Sequence, residues 1–175
     1  MDAEITDSGI WSNRMSGIDN SNEGAGGAYF FGCRVSITDT MISGNDILPG
    51  FCGGAAFYGS DVALVNTSIE GNGAGYGSGG GAAFGFSTVR TINTAILGNV
   101  VDFYGAGLLA WDSDITMMDT VVEKNTGTYG GGAYISGSNI SISDSSLSGN
   151  RAFDWGGGGI HRWIKSDNDK HHRIR

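Results

Sequence analysis

A seven-residue phrase occurs six times in this chain, and a phrase repeated in order narrows the possible folds more than any composition does. It runs from Asp7 to Asn13, Asp39 to Asn45, Asn66 to Asn72, Asn93 to Asn99, Asp119 to Asn125 and Asp144 to Asn150. The shared pattern is Asp or Asn, Ser or Thr, any residue, then Ile, Leu or Val, two of any kind, and Asn. Self-similarity of this kind marks an array of stacked supersecondary units.

The residues around the phrase complete the unit. Upstream of each copy stand small residues such as Cys52-Gly53-Gly54, Gly79-Gly80-Gly81 and Gly130-Gly131-Gly132. Apolar pairs spaced two apart follow, among them Ala55 and Phe57, Ala82 and Phe84, Leu108 and Ala110. A second set follows these: Val35 and Ile37, Val62 and Leu64, Ile115 and Met117. A spacing of two is the strand period, with one face buried and one wet. The third strand carries the Ile, Leu or Val of the phrase. The block from the small residues to the closing Asn keeps one length, so every change in length falls after that Asn, in a loop that bulges into solvent. A three-strand unit of 25 to 27 residues cannot bury its own apolar face. Stacked at about 4.8 Å, the units make an all-β parallel β-helix of about six coils over residues 1–160. Residues 161–175 form a polar basic tail or a crude cap.

Composition closes off several function classes. The 175 residues include 32 Gly and carry a net charge of −8, whereas nucleic acid and anionic membranes select a basic footprint. No apolar run approaches the ~18 residues of a membrane helix, so no direct membrane insertion by this segment is expected. Cys33 and Cys52 are too few for a disulfide framework. No cofactor is expected, since no Gly-Lys-Ser/Thr follows the glycine runs.

The phrase also carries a resemblance. Gly26-Gly27-Ala28, Gly53-Gly54-Ala55, Gly80-Gly81-Ala82 and Gly131-Gly132-Ala133, each followed by the element that ends in Asn, resemble the repeats of chlamydial polymorphic outer-membrane proteins. Ile, Val or Leu stands here where that family has Phe. The resemblance covers residues 1 to about 160 and implies a right-handed β-helix of the pectin-lyase-like superfold. It also implies a secreted or cell-surface location, as an outer-membrane passenger, although this segment holds no signal peptide.

Four sets of residues are candidates for chemistry. Asn13, Asn45, Asn72, Asn99, Asn125 and Asn150 are expected to form a structural amide ladder between coils. Asp119 and Asp144, about 5 Å apart on adjacent coils, have the geometry of a calcium-binding or glycosidase pair. Exchange of Asp for Asn elsewhere in that column (Asp7, Asp39, Asn66, Asn93) instead favours an Asx turn, which needs the oxygen and not the charge. Phe51, Tyr104, Tyr129 and Trp155, with Tyr76 close to its counterpart, form an aromatic column suited to carbohydrate contact or to covering the coil corner. Trp111, Tyr58 and Phe31 share a second offset. Asp112 and Asp114 straddle Ser113, and His161, His171 and His172 lie in the tail. The constellations of pectate lyases and polygalacturonases are missing, as is the His of a nucleophilic triad.

Both ends look cut, so a piece of a longer chain is expected. Its function would be that of a non-enzymatic adhesin-type or passenger-type rod. The partners would be a cell-surface glycan or host protein, further coils of the parent chain, or a second copy end to end. The alternative is a carbohydrate-binding or polysaccharide-degrading β-helix protein with catalytic coils outside this segment.

Overall fold

The computed structural model describes residues 1–16 and 24–154, and the backbone of 160–163 and 172–174. Trp155, Ile164 and His171 lie outside the described residues. The chain winds into a parallel β-solenoid of about five turns with no helix among the described residues. Sheet 1 stacks the five-residue strands Asp2–Thr6, Arg34–Thr38, Asp61–Val65, Thr88–Ile92, Asp114–Met118 and Asn139–Ser143. Sheet 2 holds the phrase itself: Gly9–Trp11, Met41–Ser43, Ser68–Glu70, Ala95–Leu97, Val121–Glu123 and Ser146–Ser148.

Residues at equal offset pair in register. Val35, Val62, Val89, Ile115 and Ile140 succeed one another in sheet 1, and Ile10, Ile42, Ile69, Ile96, Val122 and Leu147 in sheet 2. The column forms because the chain closes each coil after a near-constant number of residues. A one-residue slip would send every apolar side chain of that coil to the solvent face.

A fourth strand per coil joins the three read from the sequence. Sheet 3 comprises Arg14–Ser16, Asp46–Leu48, Gly73–Ala74, Val100–Val101, Thr126–Gly127 and Arg151–Ala152. It occupies the start of the segment expected to be a solvent loop. Ile47, Ala74 and Val101 turn inward there and pack with Ala106 as a cluster of their own.

Sheet 4 contains Ala28–Phe31, Ala55–Tyr58, Ala82–Gly85, Leu108–Trp111, Ala133–Ser136 and Ile160–Trp163. His172–Ile174 adds to its last strand in antiparallel sense. The parallel pairing therefore continues through Trp163, past the point where the repeat fades in the sequence. Inside sheet 4, Phe30, Phe57 and Phe84 stack at 5.2 Å between successive centroids. Ala110 and Ile135 then continue the column.

Three corners recur, and one rule builds each of them. A residue with positive φ makes the bend, and the next residue turns a short polar side chain inward. Between sheets 1 and 2 the bend is Asp7, Asp39, Asn66, Asn93, Asp119 or Asp144, with φ between 46° and 50°. Asn and Asp enter this left-handed region more readily than other side chains. Between sheets 2 and 3 it is Gly44, Gly71, Gly98 or Gly149, with Ser12 and Lys124 in the remaining coils. Between sheets 4 and 1 it is Gly32, Gly59, Phe86, Asp112 or Gly137.

Candidate functional site

The inward polar residues at the corners form ladders. At the corner between sheets 2 and 3, the side-chain amides of Asn13, Asn45, Asn72, Asn99 and Asn125 each donate to the Oδ1 of the next Asn, ending at Asn150. The distances are 2.9 to 3.0 Å. Each Oδ1 also accepts the backbone N–H of the preceding Asn. The second amide hydrogen of Asn45, Asn72, Asn99, Asn125 and Asn150 goes back to a carbonyl of the coil before. An internal Asn such as Asn99 thus uses all four of its hydrogen-bonding positions.

A serine ladder went unrecognised in the sequence. The hydroxyls of Ser60, Ser87, Ser113 and Ser138 accept the backbone N–H of Cys33, Ser60, Ser87 and Ser113 at 2.9 to 3.3 Å. Among the described residues no buried side-chain polar atom lacks a partner, as a buried column requires.

The ladders account for two of the candidate sites. Ser113 is a buried rung, Asp112 is the bend before it, and Asp114 opens a strand and accepts from Asn139 Nδ2 at 2.8 Å. The three belong to a corner and do not converge on a common point. The Asp/Asn column is a bend for a different reason than the Asx turn expected. The N–H two residues on from Asp39 is taken by the coil before, Met41 N–H donating to Ser8 O, and those of Ser68, Ala95, Val121 and Ser146 are used likewise. What selects Asp or Asn is tolerance of positive φ. Their side chains run along the outside of the stack, where Asn93 donates to Asn66 and Asn66 to Asp39, each at 2.9 Å. Asp119 and Asp144 stand exposed on this corner. Among the described residues no three His, Cys, Asp or Glu side chains gather in a metal-binding group.

A concave feature of the described surface lies on the outer face of sheet 4. An open cleft of about 640 Å³ is lined by Tyr29, Phe31, Phe51, Tyr58 and Trp111 above Ala56 and Phe57. Its position follows from one column of the sheet: Phe31, Tyr58, Gly85, Trp111 and Ser136 succeed one another in register. Phe31 and Tyr58 stack at 5.4 Å with planes 5° apart. Gly85 leaves the next place empty. Trp111 fills it by leaning back across the gap, so that a Cβ on Gly85 would clash with the indole. The indole meets Phe51 edge-on at 5.2 Å and Tyr58 at 6.3 Å. Beneath, Cys52, Ala56, Ala83 and Leu109 form a buried apolar layer outside the sheet.

The structure disperses the aromatic column read from the sequence. Phe51 joins the cleft. Tyr104 and Tyr129 stack on each other at 5.0 Å, with Tyr134 at 4.8 Å from Tyr104. Tyr76 is exposed and its N–H donates to the Asp102 carboxylate at 2.6 Å. The charge of Asp154 raises the pKa of the Tyr129 phenol, and burial raises that of Tyr134. Sequence reasoning missed Tyr29 and Gly85. The shared offset of Phe31, Tyr58 and Trp111, with a glycine in the gap, was the available signal.

The chain matches no protein-family model and no curated protein.

Both cysteines are free. Cys52 is fully buried, and burial pushes its thiol up to about 12, so the reactive thiolate is a negligible fraction near neutral pH in the fold. Treating the native protein at pH 8 with an aromatic disulfide reagent is expected to leave Cys52 unmodified, with modification following only on unfolding. Peptide mapping reads the outcome, and rapid native labelling of Cys52 would contradict its burial.

Proposed function

We propose that this chain is a non-enzymatic β-solenoid segment of a secreted or cell-surface protein, a rigid rod that displays a binding surface. The observation that carries the reading is the unbroken Asn ladder, every rung at 2.9 to 3.0 Å. The repeated polar residues are spent on holding coil to coil, and the column continues through every turn. A net charge of −8 speaks for a partner other than nucleic acid. The Gly-Gly-Ala and Asn periodicity supports placing the chain with right-handed, pectin-lyase-like β-helices and likens it to chlamydial surface repeats. A glycan-binding role is the second reading, favoured by the aromatic cleft. A polysaccharide-degrading role would need acid and base groups beside that cleft, and its lining is aromatic and aliphatic.

Incubation with polygalacturonate, alginate and a β-glucan is expected to yield neither unsaturated products nor new reducing ends. The appearance of either would overturn the non-enzymatic reading.

A further inference from the structure

We propose that the cleft beside Trp111 is a binding site for an uncharged pyranose residue of a glycan chain, with the indole laid across Gly85 as its platform. The inference rests on the display-scaffold reading and names the ligand class that the scaffold would hold.

Charge, pairing and shape select this occupant. Among the described residues the lining contains no Lys, Arg, Asp or Glu. A phosphate-bearing or carboxylate-bearing ligand would find no cation to pair with, which sets aside nucleotides and uronic acids. A peptide that binds by strand addition needs a free sheet edge. The strands beneath the cleft, Ala55–Tyr58, Ala82–Gly85 and Leu108–Trp111, are already paired on both sides. A sugar ring offers what remains: a flat face of C–H bonds to lie on an aromatic ring, and hydroxyls at its rim. The phenols of Tyr29 and Tyr58 supply polar groups within an otherwise apolar lining. A volume of about 640 Å³ falls within the ~300–1,000 Å³ usual for small-ligand pockets.

The Gly85–Trp111 pair gives the proposal its sharpest feature. In the two preceding coils Phe31 and Tyr58 of this column stack face to face. The missing side chain at Gly85 is what lets Trp111 lie back over the strand instead of standing in such a stack. Gly85 has no backbone need for glycine, since its φ is ordinary. A side chain there meets the Trp111 indole first.

The test is titration of the full chain with cellohexaose, xylohexaose, mannohexaose and maltohexaose, followed by tryptophan fluorescence and calorimetry. Oligogalacturonate and a leucine-rich peptide serve as comparison ligands. At least one neutral oligosaccharide is expected to bind saturably. Affinity should fall at least about tenfold in Trp111→Ala and in Gly85→Val, and stay unchanged in Tyr76→Ala. Should either cleft variant fail to fold, Tyr29→Ala replaces it, because Tyr29 is 43% exposed and its loss leaves the buried layer in place. The proposal is overturned if no neutral oligosaccharide binds, if binding survives the cleft substitutions, or if oligogalacturonate or the peptide binds in preference. New reducing ends during the titration would instead sink the non-enzymatic reading and leave the cleft assignment standing.

Discussion

Replacing Asn99 by alanine is expected to destabilise the solenoid by about 3–4 kcal/mol, a large loss for one side chain. Asn99 Oδ1 accepts both the backbone N–H and the side-chain amide of Asn72, at 2.9 and 3.0 Å. Its own amide reaches Asn125 Oδ1 and Ile69 O, each at 3.0 Å. Asn72 and Asn99 are 1% and 0% exposed, so the two donors orphaned on Asn72 have no water to turn to. Each then costs its desolvation penalty, about 1–3 kcal/mol for a neutral group. The comparison is Asn13→Ala at the end of the same ladder. Asn13 is exposed and its amide makes one inter-coil bond, to Asn45 Oδ1, and its loss should cost under about 1 kcal/mol. Urea unfolding of the two variants measures the contrast. Equal midpoints would mean that the ladder contributes nothing beyond what water supplies.

The parts of the fold legible in the sequence were those where one chemical choice repeats at a long enough strand. Sheet 1 has five residues per strand, so Val35 and Ile37 or Val62 and Leu64 show the period of two directly. The Asn column was visible because only Asn stands there in all six copies. Sheet 3 was not visible. Its strands are two or three residues long, and Asp46–Leu48, Gly73–Ala74 and Thr126–Gly127 share no residue type at equal offset. A pair so short has no period to display. The serine ladder was hidden for another reason: Cys33 stands at its first rung, and serine is common elsewhere in the chain.

The Asp/Asn column shows a different limit, because an Asx turn and a positive φ select the same two residues. Only the inter-coil bond taken by the N–H two positions on, such as Met41 to Ser8, separates them. The cleft was least legible of all. It arises from a side chain that is missing, and in a chain with 32 glycines the significance of Gly85 appears only once Trp111 is seen to lie over it.

Gly81→Ala is the second substitution expected to have a large effect, about 3 kcal/mol or outright failure to fold. The cause is contact, since its φ lies outside the left-handed region. A Cβ at Gly81 would lie 2.6 Å from the carbonyl oxygen of Gly107 and 2.8 Å from Asn99 Nδ2. Neither can retreat cheaply: the Gly107 carbonyl accepts the Ala82 N–H at 3.0 Å, and the Asn99 amide is held by Asn125 and Ile69.

Gly98 in the same coil is the counterpart. Its φ is +59° and a Cβ there would meet nothing within 4 Å, so Gly98→Ala should cost only the left-handed backbone penalty of about 1–2 kcal/mol. Lys124 already occupies that corner at φ 57°. The decisive measurement is the double substitution. Asn99→Ala removes one of the two atoms that Gly81→Ala would strike, so the pair should destabilise by at least about 0.5 kcal/mol less than the sum. Strict additivity would show that the two sites act independently. Coupling would explain why Gly-Gly-Ala and the distant Asn recur together: Gly27, Gly54, Gly81 and Gly107 each face the amide of Asn45, Asn72, Asn99 or Asn125 in their own coil. The glycine has no side chain because the asparagine amide and the next coil's backbone carbonyl together occupy the space where one would go.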